Sequence, residues 1–272
     1  MIKQEFKKEN SKKKIIAKDH PSTVNENSSL SNVALPDAWY NLELPEKTVN
    51  SGVLSAPQLE AIVYSCQSHE TKLADGSRAG FLIGDGAGVG KGRMAAGIIL
   101  GNFLLGRKKA IWFSVSTDLK YDAERDLRDI GSDQITVHAL NQSKNSSAPK
   151  DVIGSIKEGV IFSTYSDLIA ELSVTSRRKL SGLEQLLKWC GQDFDGVIIF
   201  DEFHHMNNIN YGGSSNMRKI ELALLELQNK VPNSRIVYIS TTVISELLNM
   251  ASMIRLGLWG QDTPCKGKYF IY

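Results

Sequence analysis

The sequence predicts an α/β protein built on a parallel sheet with helices on both faces. Short apolar runs alternate along the chain with longer segments of helical character. The runs are rich in Val, Ile and aromatic residues and are apolar on both faces, which is typical of buried parallel strands. One run leads directly into the glycine-rich stretch GDGAGVGKGR, at 84–93, and then into a helix. This alternation indicates strands that are joined by crossover helices.

The first half of the chain supplies three helices and two strands. Ser55 is a candidate N-cap for a helix through PQLEAIVYSCQSHE, with Pro57 in its first turn. AGFLIG predicts a buried strand, and KGRMAAGIILGNFLLG predicts a helix. KKAIWFSVS predicts the next strand. TDLKYDAERDLRDIG predicts a helix that Thr117 caps and Gly131 ends.

The second half repeats the pattern. ITVHAL, GVIFSTY, GVIIFDE and RIVYIST predict four further strands. Helical stretches are expected around 179–190, 216–229 and 245–255. The polar segments 141–150 and 207–216 predict loops within this scheme.

Composition divides the chain into three parts. Residues 1–32 form a lysine-rich tail that is expected to be disordered, because it has almost nothing to bury. Such a run usually forms a solvated tail, and nuclear import or tethering to nucleic acid is the alternative. Residues 33–264 form one lobe, which begins with an extended, Trp-containing segment on the surface of the domain. Residues 265–272 form a divergent C-terminal end.

Charge and cysteine content limit the classes of function. The formal net charge of +2 points to no particular partner. The three cysteines are widely spaced, which argues against a disulfide framework or a zinc site and indicates a reducing compartment. The sequence begins without an apolar signal region, and no apolar run is long enough to span a bilayer. A soluble, intracellular protein without membrane partners is expected.

The segment 84–93 has the pattern of a phosphate-binding loop. Its glycines allow successive backbone N–H groups to point at phosphate oxygens, and the helix N-terminus that follows favours negative charge. Lys91 would reach the β- and γ-phosphates. The loop departs from the template G-x-x-x-x-G-K-[ST] at two positions. Asp85 stands where the template has its first glycine, and Gly92 stands where it has serine or threonine.

Two other interpretations of this loop remain open. A dinucleotide-binding loop does not require the lysine, and it expects an acidic residue at the end of the next strand, where this chain has FSVST. A glycine-rich helix start without any ligand is the structural alternative. The order of strand, loop and helix favours phosphate binding over both.

A second candidate site is the acidic end of the strand in DFDGVIIFDEFHH. Asp201 and Glu202 follow four apolar residues, and ligands of parallel sheets collect at the carboxyl ends of the strands. Asp201 is suited to hold Mg²⁺ through water, and Glu202 to orient a water molecule against the γ-phosphate. A solvated strand end is the alternative. A zinc site that adds His204 and His205 is disfavoured by the spacing.

Together, GDGAGVGKGR and DEFH resemble the nucleotide-binding lobe of superfamily-2 DExH-box helicases, and the likeness to one branch, the strawberry notch family, is close. LSAPQLEAIVYSCQSHE, AIWFSVSTDLKYDAERDLRDIG and LLKWCGQDFDGVIIFDE read like that family, and the likeness runs from about Leu35 to Pro264. It implies a RecA-like lobe that binds ATP and Mg²⁺. Lys91, Asp201 and Glu202 would be the catalytic residues. Gln58 would read adenine, and the remaining nucleotide contacts would come from Asp85, Gly86, Ala87, Gly88, Val89, Gly90, Gly92 and Arg93.

The same likeness implies a nuclear transcriptional coregulator that acts with chromatin and downstream of Notch-type signalling. Ser240, Thr241 and Thr242 stand where the family carries the motif that couples hydrolysis to strand movement. Phe203 replaces the usual cysteine of the DECH motif. The chain is interpreted as a single, truncated lobe, so ATP hydrolysis is expected to be weak or absent without a second lobe.

Three functions therefore follow from the sequence. The first is an ATP-binding, Mg²⁺-dependent helicase-like lobe, and whether it works as an enzyme on its own stays open. The second is a non-catalytic module that contacts transcription or chromatin proteins. The third is binding to the nucleic-acid backbone, for which the resemblance makes Lys120, Ser163 and Thr164 candidates.

Overall fold

A computed structural model describes residues 18, 20, 36–140, 153–175, 178–204, 214–241, 250–259 and 263. Its central element is a six-stranded parallel sheet with the strand order β1-β8-β7-β2-β4-β3. A separate antiparallel pair is formed by β5 and β6. The strands are β1 (Phe81–Ile83), β2 (Lys109–Ser114), β3 (Val137–Ala139), β4 (Gly159–Thr164), β5 (Glu171–Thr175), β6 (Arg178–Ser181), β7 (Val197–Phe200) and β8 (Arg235–Ile239).

Six α-helices are described around this sheet. They are α1 (Glu46–Ser51), α2 (Ala56–Ser68), α3 (Lys91–Leu104), α4 (Leu119–Asp129), α5 (Gly182–Cys190) and α6 (Ser214–Lys230). In addition, 3-10 turns lie at Tyr165–Leu168 and Ile254–Leu256. No described helix is both long enough and apolar enough to cross a membrane.

Helices cover both faces of the sheet and create two hydrophobic cores. On one face, α2, α3 and α4 contribute residues such as Ile62, Ile98 and Leu127. On the other face, α5 and α6 contribute residues such as Leu186 and Leu224. The central strands are buried on both sides, which is why their sequences are continuous apolar runs. The predicted α/β architecture is confirmed as a RecA-like sheet.

Some local predictions were wrong. Helix α4 has Asp118 rather than Thr117 at its N-cap. Its predicted end is confirmed, because Ile130 is the C-cap and Gly131 follows it with a φ of 81°. The stretch 179–190 is not entirely helical, because its first residues belong to the β5–β6 hairpin that the sequence reading missed. Loop residues 214–216 are the start of α6. The helix expected at 245–255 is not found in its described part, 250–255, because Ile254–Leu256 forms a 3-10 turn there, and 245–249 lie outside the described residues.

The extended segment near the start of the lobe packs on α2 as expected. The backbone N–H groups of Trp39 and Tyr40 donate to Gln67 Oε1 at 2.9 and 3.3 Å, and the Tyr64 hydroxyl donates to the Pro36 carbonyl. Of the cysteines, Cys66 and Cys190 are buried free thiols. The lysine-rich tail, apart from residues 18 and 20, and the end at 265–272 lie outside the described residues.

A buried arginine joins the end of α6 to the first strand. Arg255 is 1% exposed, and its guanidinium donates to the carbonyls of Gln228 at 2.5 Å and Val231 at 2.9 Å. The same group donates to the carbonyls of Pro232 and Arg78. The last carbonyls of a helix have no partners within the helix, and this arginine supplies a donor to the Gln228 carbonyl. The Val231 and Pro232 carbonyls also accept from Ser234 and from the Arg78 N–H.

We expect Arg255→Met to lower the free energy of unfolding by about 3 kcal/mol or more, because the hydrogen bonds of a buried guanidinium are lost together and the Gln228 carbonyl loses its donor. Urea unfolding measures this directly. Arg125→Met is the matched control, since Arg125 is exposed and its ion pair with Asp122 should contribute less than about 1 kcal/mol. Equal losses in the two variants would contradict the role assigned to Arg255.

Candidate nucleotide and cation site

The glycine-rich loop and the acidic pair meet at one edge of the sheet. Strand β8 lies between β1 and β7 and is parallel to both, with Ile83 opposite Ile239 and Phe200 opposite Tyr238. The residues that follow these three strands therefore lie at the same carboxyl edge. In addition, the Ser240 N–H donates to the Ile83 carbonyl at 3.1 Å.

The loop from Gly84 to Gly90 is exposed or half-buried and leads directly into α3. Gly88 and Gly90 have φ of 85° and 79°, a conformation that side chains disfavour. A Cβ on Gly86 or Gly88 would contact nothing within 4 Å, so the loop is open to a ligand. None of the N–H groups from Asp85 to Gly90 donates to a backbone carbonyl in the described part of the chain.

Lys91 lies over this loop. Its ammonium donates to the carbonyls of Asp85 at 3.2 Å and Gly86 at 2.9 Å. Burial raises the pKa of the Asp85 carboxyl, and the positive charge of Lys91 opposes that shift. Arg93 forms an ion pair with Asp129 at 2.8 Å. The loop thus places a positive charge beside open backbone donors, which suits a polyphosphate.

Gln58 connects the start of α2 to the loop. Its side-chain oxygen accepts from the Ser55 N–H at 2.9 Å, and its amide nitrogen donates to the Val89 carbonyl at 2.8 Å. The side chain is buried, and a Cβ on Gly90 would lie 2.3 Å from its nitrogen. Gln58 therefore holds the loop in place, and its predicted contact with adenine stays a prediction.

Asp201 is a partly buried carboxylate at the end of β7. Burial and the neighbouring Glu202 raise its pKa to about 6, while a Trp112 side-chain hydrogen bond and the charge of Lys91 act in the opposite direction. Its Oδ1 accepts from the Glu202 N–H at 2.9 Å. The Tyr165 hydroxyl, which the sequence analysis missed, donates to the Asp201 carbonyl at 2.8 Å.

Glu202 begins a polar chain that reaches the end of β8. Its φ is 51°, and it is the one non-glycine residue with positive φ among those described. His204 Nδ1 lies 3.4 Å from Glu202 Oε2, and His204 Nε2 lies 3.1 Å from Thr241 Oγ1. The acidic pair and the predicted coupling motif are therefore in contact through His204. Thr242, like His205, lies outside the described residues.

Phe203 points into the core rather than towards the site. Its ring is 1% exposed and packs against Phe200, Tyr165 and Tyr238 at centroid distances of 5.8, 6.3 and 5.4 Å. The departure from the family motif at this position thus changes the core beneath the acidic pair and leaves the carboxylates in place.

The donor set fits a magnesium ion that is shared with phosphate. Asp201 and Glu202 supply carboxylate oxygens, and the phosphate loop lies at the same edge. Within the described ranges, no three His, Cys, Asp or Glu side chains are grouped as a metal site. Mg²⁺ commonly takes only one or two carboxylates and completes its shell with water and substrate phosphates.

The candidates for nucleic-acid contact are already engaged within the protein. Lys120 pairs with Glu124, and its side chain is 13% exposed. Ser163 and Thr164 are buried at the end of β4, where Ser163 Oγ donates to the Thr164 carbonyl. Thr164 Oγ1 lies 3.0 Å from Ser166 Oγ. Their role in binding nucleic acid stays a prediction.

Asp201→Asn is expected to stabilise the chain at neutral pH. Folding raises the pKa of the Asp201 carboxyl from 3.8 to about 6. The contribution of this carboxyl to the free energy of unfolding is therefore fully present below about pH 3.8 and is lost as the pH rises through 6. We expect the variant to gain on the order of 2 kcal/mol at pH 7.5 and little at pH 4, measured by urea unfolding without Mg²⁺. Asp118→Asn, at an exposed carboxyl, is the control. An equal gain in the free energy of unfolding of Asp201→Asn at both pH values would contradict the raised pKa of Asp201.

We expect the free energy of unfolding of Glu202→Asn to exceed that of Glu202→Gln by about 0.5–1 kcal/mol. Both variants remove the charge, but asparagine tolerates positive φ better than longer side chains do. Chemical unfolding of the two variants in parallel isolates the backbone effect. If the two variants are equally stable, no strain is stored at Glu202.

Comparison with known proteins identifies the family. The model of the family described as "P-loop containing NTP hydrolase pore-1" matches residues 19–270. Strawberry notch homolog 1 of Gallus gallus is 60% identical over 245 residues, which are 90% of this chain and 20% of that protein. Strawberry notch of Drosophila melanogaster is 57% identical over 248 residues, 91% of this chain and 15% of that protein. The chain thus spans about a fifth or less of the length of these relatives.

Among solved structures, the Sulfolobus solfataricus SWI2/SNF2 ATPase core in complex with dsDNA matches with a TM-score of 0.48 and 13% identity. The match covers 74% of this chain and 35% of that one. The fold assignment itself comes from the strand order of this chain. The family match over nearly the whole length shows that this chain belongs to the P-loop-containing NTP hydrolase pore-1 family, with strong homology to the strawberry notch proteins.

Proposed function

We propose that this chain is the ATP-binding lobe of a DExH helicase-like protein and that it binds ATP together with Mg²⁺. One observation carries the proposal: an open glycine loop with a lysine over it shares one sheet edge with a partly buried carboxylate. Backbone N–H donors at a helix N-terminus favour phosphate. A nearby cation stabilises the charged form of a carboxyl whose pKa is raised.

Each residue has a distinct task in this proposal. The N–H groups of the loop hold the phosphates, and the Lys91 ammonium exchanges its carbonyl partners for phosphate oxygens. Asp201 holds the cation. When bound, Mg²⁺ neutralises charge on the phosphates. Glu202 orients a water molecule towards the γ-phosphate. His204 connects this carboxylate to Thr241 at the end of β8.

Hydrolysis by this lobe is expected to be slow. An arginine that reaches the transition state contributes about 10³–10⁵ in the rate of phosphoryl transfer. Arg93, which lies beside the loop, is engaged by Asp129 and by the Val53 carbonyl. The proposed activity is therefore nucleotide binding with weak turnover.

The homology also supports a proposal about the cellular role. We infer that the chain acts in the nucleus, as part of a transcriptional coregulator that contacts transcription or chromatin proteins and the nucleic-acid backbone. The resemblance to the strawberry notch proteins suggests this role, and the Gallus gallus relative matches 90% of the chain at 60% identity. A non-catalytic interaction module is the outcome if nucleotide does not bind.

Mg·ATP is expected to raise the melting temperature of the wild-type chain and to have little effect on Lys91→Ala. A ligand that binds only the folded state stabilises it by about 2.7 kcal/mol at a hundred times its Kd. Lys108→Ala is the matched control, because Lys108 lies over the Phe103 ring at the opposite edge of the sheet. A thermal-shift titration with millimolar nucleotide measures all three proteins. The absence of a wild-type shift would reject the nucleotide site and favour the interaction module.

A further inference from the structure

A carboxylate from a neighbouring helix lies where the loop lacks a side chain. A Cβ built on Gly92 would lie 2.0 Å from Asp126 Oδ2 and 3.0 Å from Asp126 Cγ. Gly92 is absent from the residues with positive φ, so its backbone conformation does not demand glycine. The Asp126 carboxyl instead lies in the space that a side chain at this position would take. A serine or threonine at this position would require the carboxylate to move.

Asp126 is largely buried and weakly partnered. Its side chain is 16% exposed, and its ion pair in the described part of the chain is with Arg125, at 3.9 Å. Arg125 itself makes a closer pair with Asp122, at 2.7 Å. Burial raises the pKa of the Asp126 carboxyl, and the charges of Arg125 and Arg93 oppose that shift. The carboxylate oxygens therefore remain available beside the first turn of α3.

Packing fixes the helix that carries this carboxylate. Ala123 and Leu127, on either side of Asp126 along α4, are each 1% exposed and belong to the core shared with α3. The ion pair between Arg93 and Asp129 also joins the two helices. Asp126 is thus held against Gly92 by a packed helix pair.

The chemistry of that position indicates what the carboxylate does. In phosphate loops, the residue after the lysine contributes a hydroxyl to Mg²⁺. A carboxylate is also an oxygen ligand for Mg²⁺, and it adds a negative charge that the hydroxyl lacks. Without the cation, this charge would repel phosphate at the start of α3.

We propose that Asp126 replaces the missing loop hydroxyl as an oxygen ligand, direct or through water, for the divalent cation that accompanies the nucleotide. This proposal rests on the proposed function, because it needs phosphate bound at the loop. It makes nucleotide binding by this chain strongly dependent on the cation.

The test is the Mg²⁺ concentration at which ADP reaches half of its maximal thermal stabilisation. We expect Asp126→Asn to raise this concentration about tenfold or more, since the loss of a group that supports a metal commonly costs 10–100-fold in affinity. Stabilisation by ADP in EDTA should be unchanged or larger, because a repulsive charge has been removed. Asp133→Asn, at an exposed carboxyl beyond the end of the same helix, is the control and should leave the midpoint unchanged.

A rescue variant separates this role from a structural one. Gly92→Ser combined with Asp126→Gly restores a loop hydroxyl and clears the space for it, so the Mg²⁺ midpoint should return towards the wild-type value. Direct titration with Mn²⁺, followed by electron paramagnetic resonance in the presence of ADP, should rank the proteins in the same order.

Two results would overturn the proposal, and they are distinguishable. If wild type responds to ADP with a Mg²⁺ midpoint that Asp126→Asn shares, Asp126 has no part in cation binding while the nucleotide site stands. If wild type shows no response to ADP at any Mg²⁺ concentration, the proposed function and this inference fall together. A lower melting temperature in Asp126→Asn with an unchanged midpoint would assign the residue to packing alone.

Discussion

The site depends on the parallel pairing of β1, β8 and β7. Because the three strands run in the same direction, the segments that follow them emerge at one edge, although more than a hundred residues separate the loop from the acidic pair. A change of one residue in this register would turn inward-facing side chains towards the opposite core. The chemistry at the edge is therefore held by ladder hydrogen bonds and by the two cores.

The strands and the two motifs were predictable because each is a local pattern with a strong physical cause. Apolar runs such as Val197–Phe200 indicate strands that are buried on both faces, and the glycines before Lys91 indicate a phosphate loop. The β5–β6 hairpin was not predictable in the same way, because its strands are short and stand outside the main sheet. The prediction of Thr117 as the N-cap of α4 was wrong, since the turn before α4 places Asp118 at the helix boundary.

The contacts that complete the site could not be predicted from sequence spacing. Asp126 reaches Gly92 across thirty-four positions through the packing of two helices, and Tyr165 reaches Asp201 across thirty-six. Neither residue belongs to a recognisable motif. The missing hydroxyl at Gly92 was visible in the sequence, but only the arrangement of α3 and α4 shows what fills its place.

The aromatic packing of Phe203 gives the site two mechanically different sides. Its ring is enclosed by aromatic side chains from β7, β8 and the turn after β4, so the acidic pair shares the stiffness of the core. The glycine loop opposite is exposed or half-buried, and Gln58 and Lys91 donate to its carbonyls. The two sides of the site therefore differ in their support, because the acidic pair stands directly on the aromatic core and the loop faces solvent.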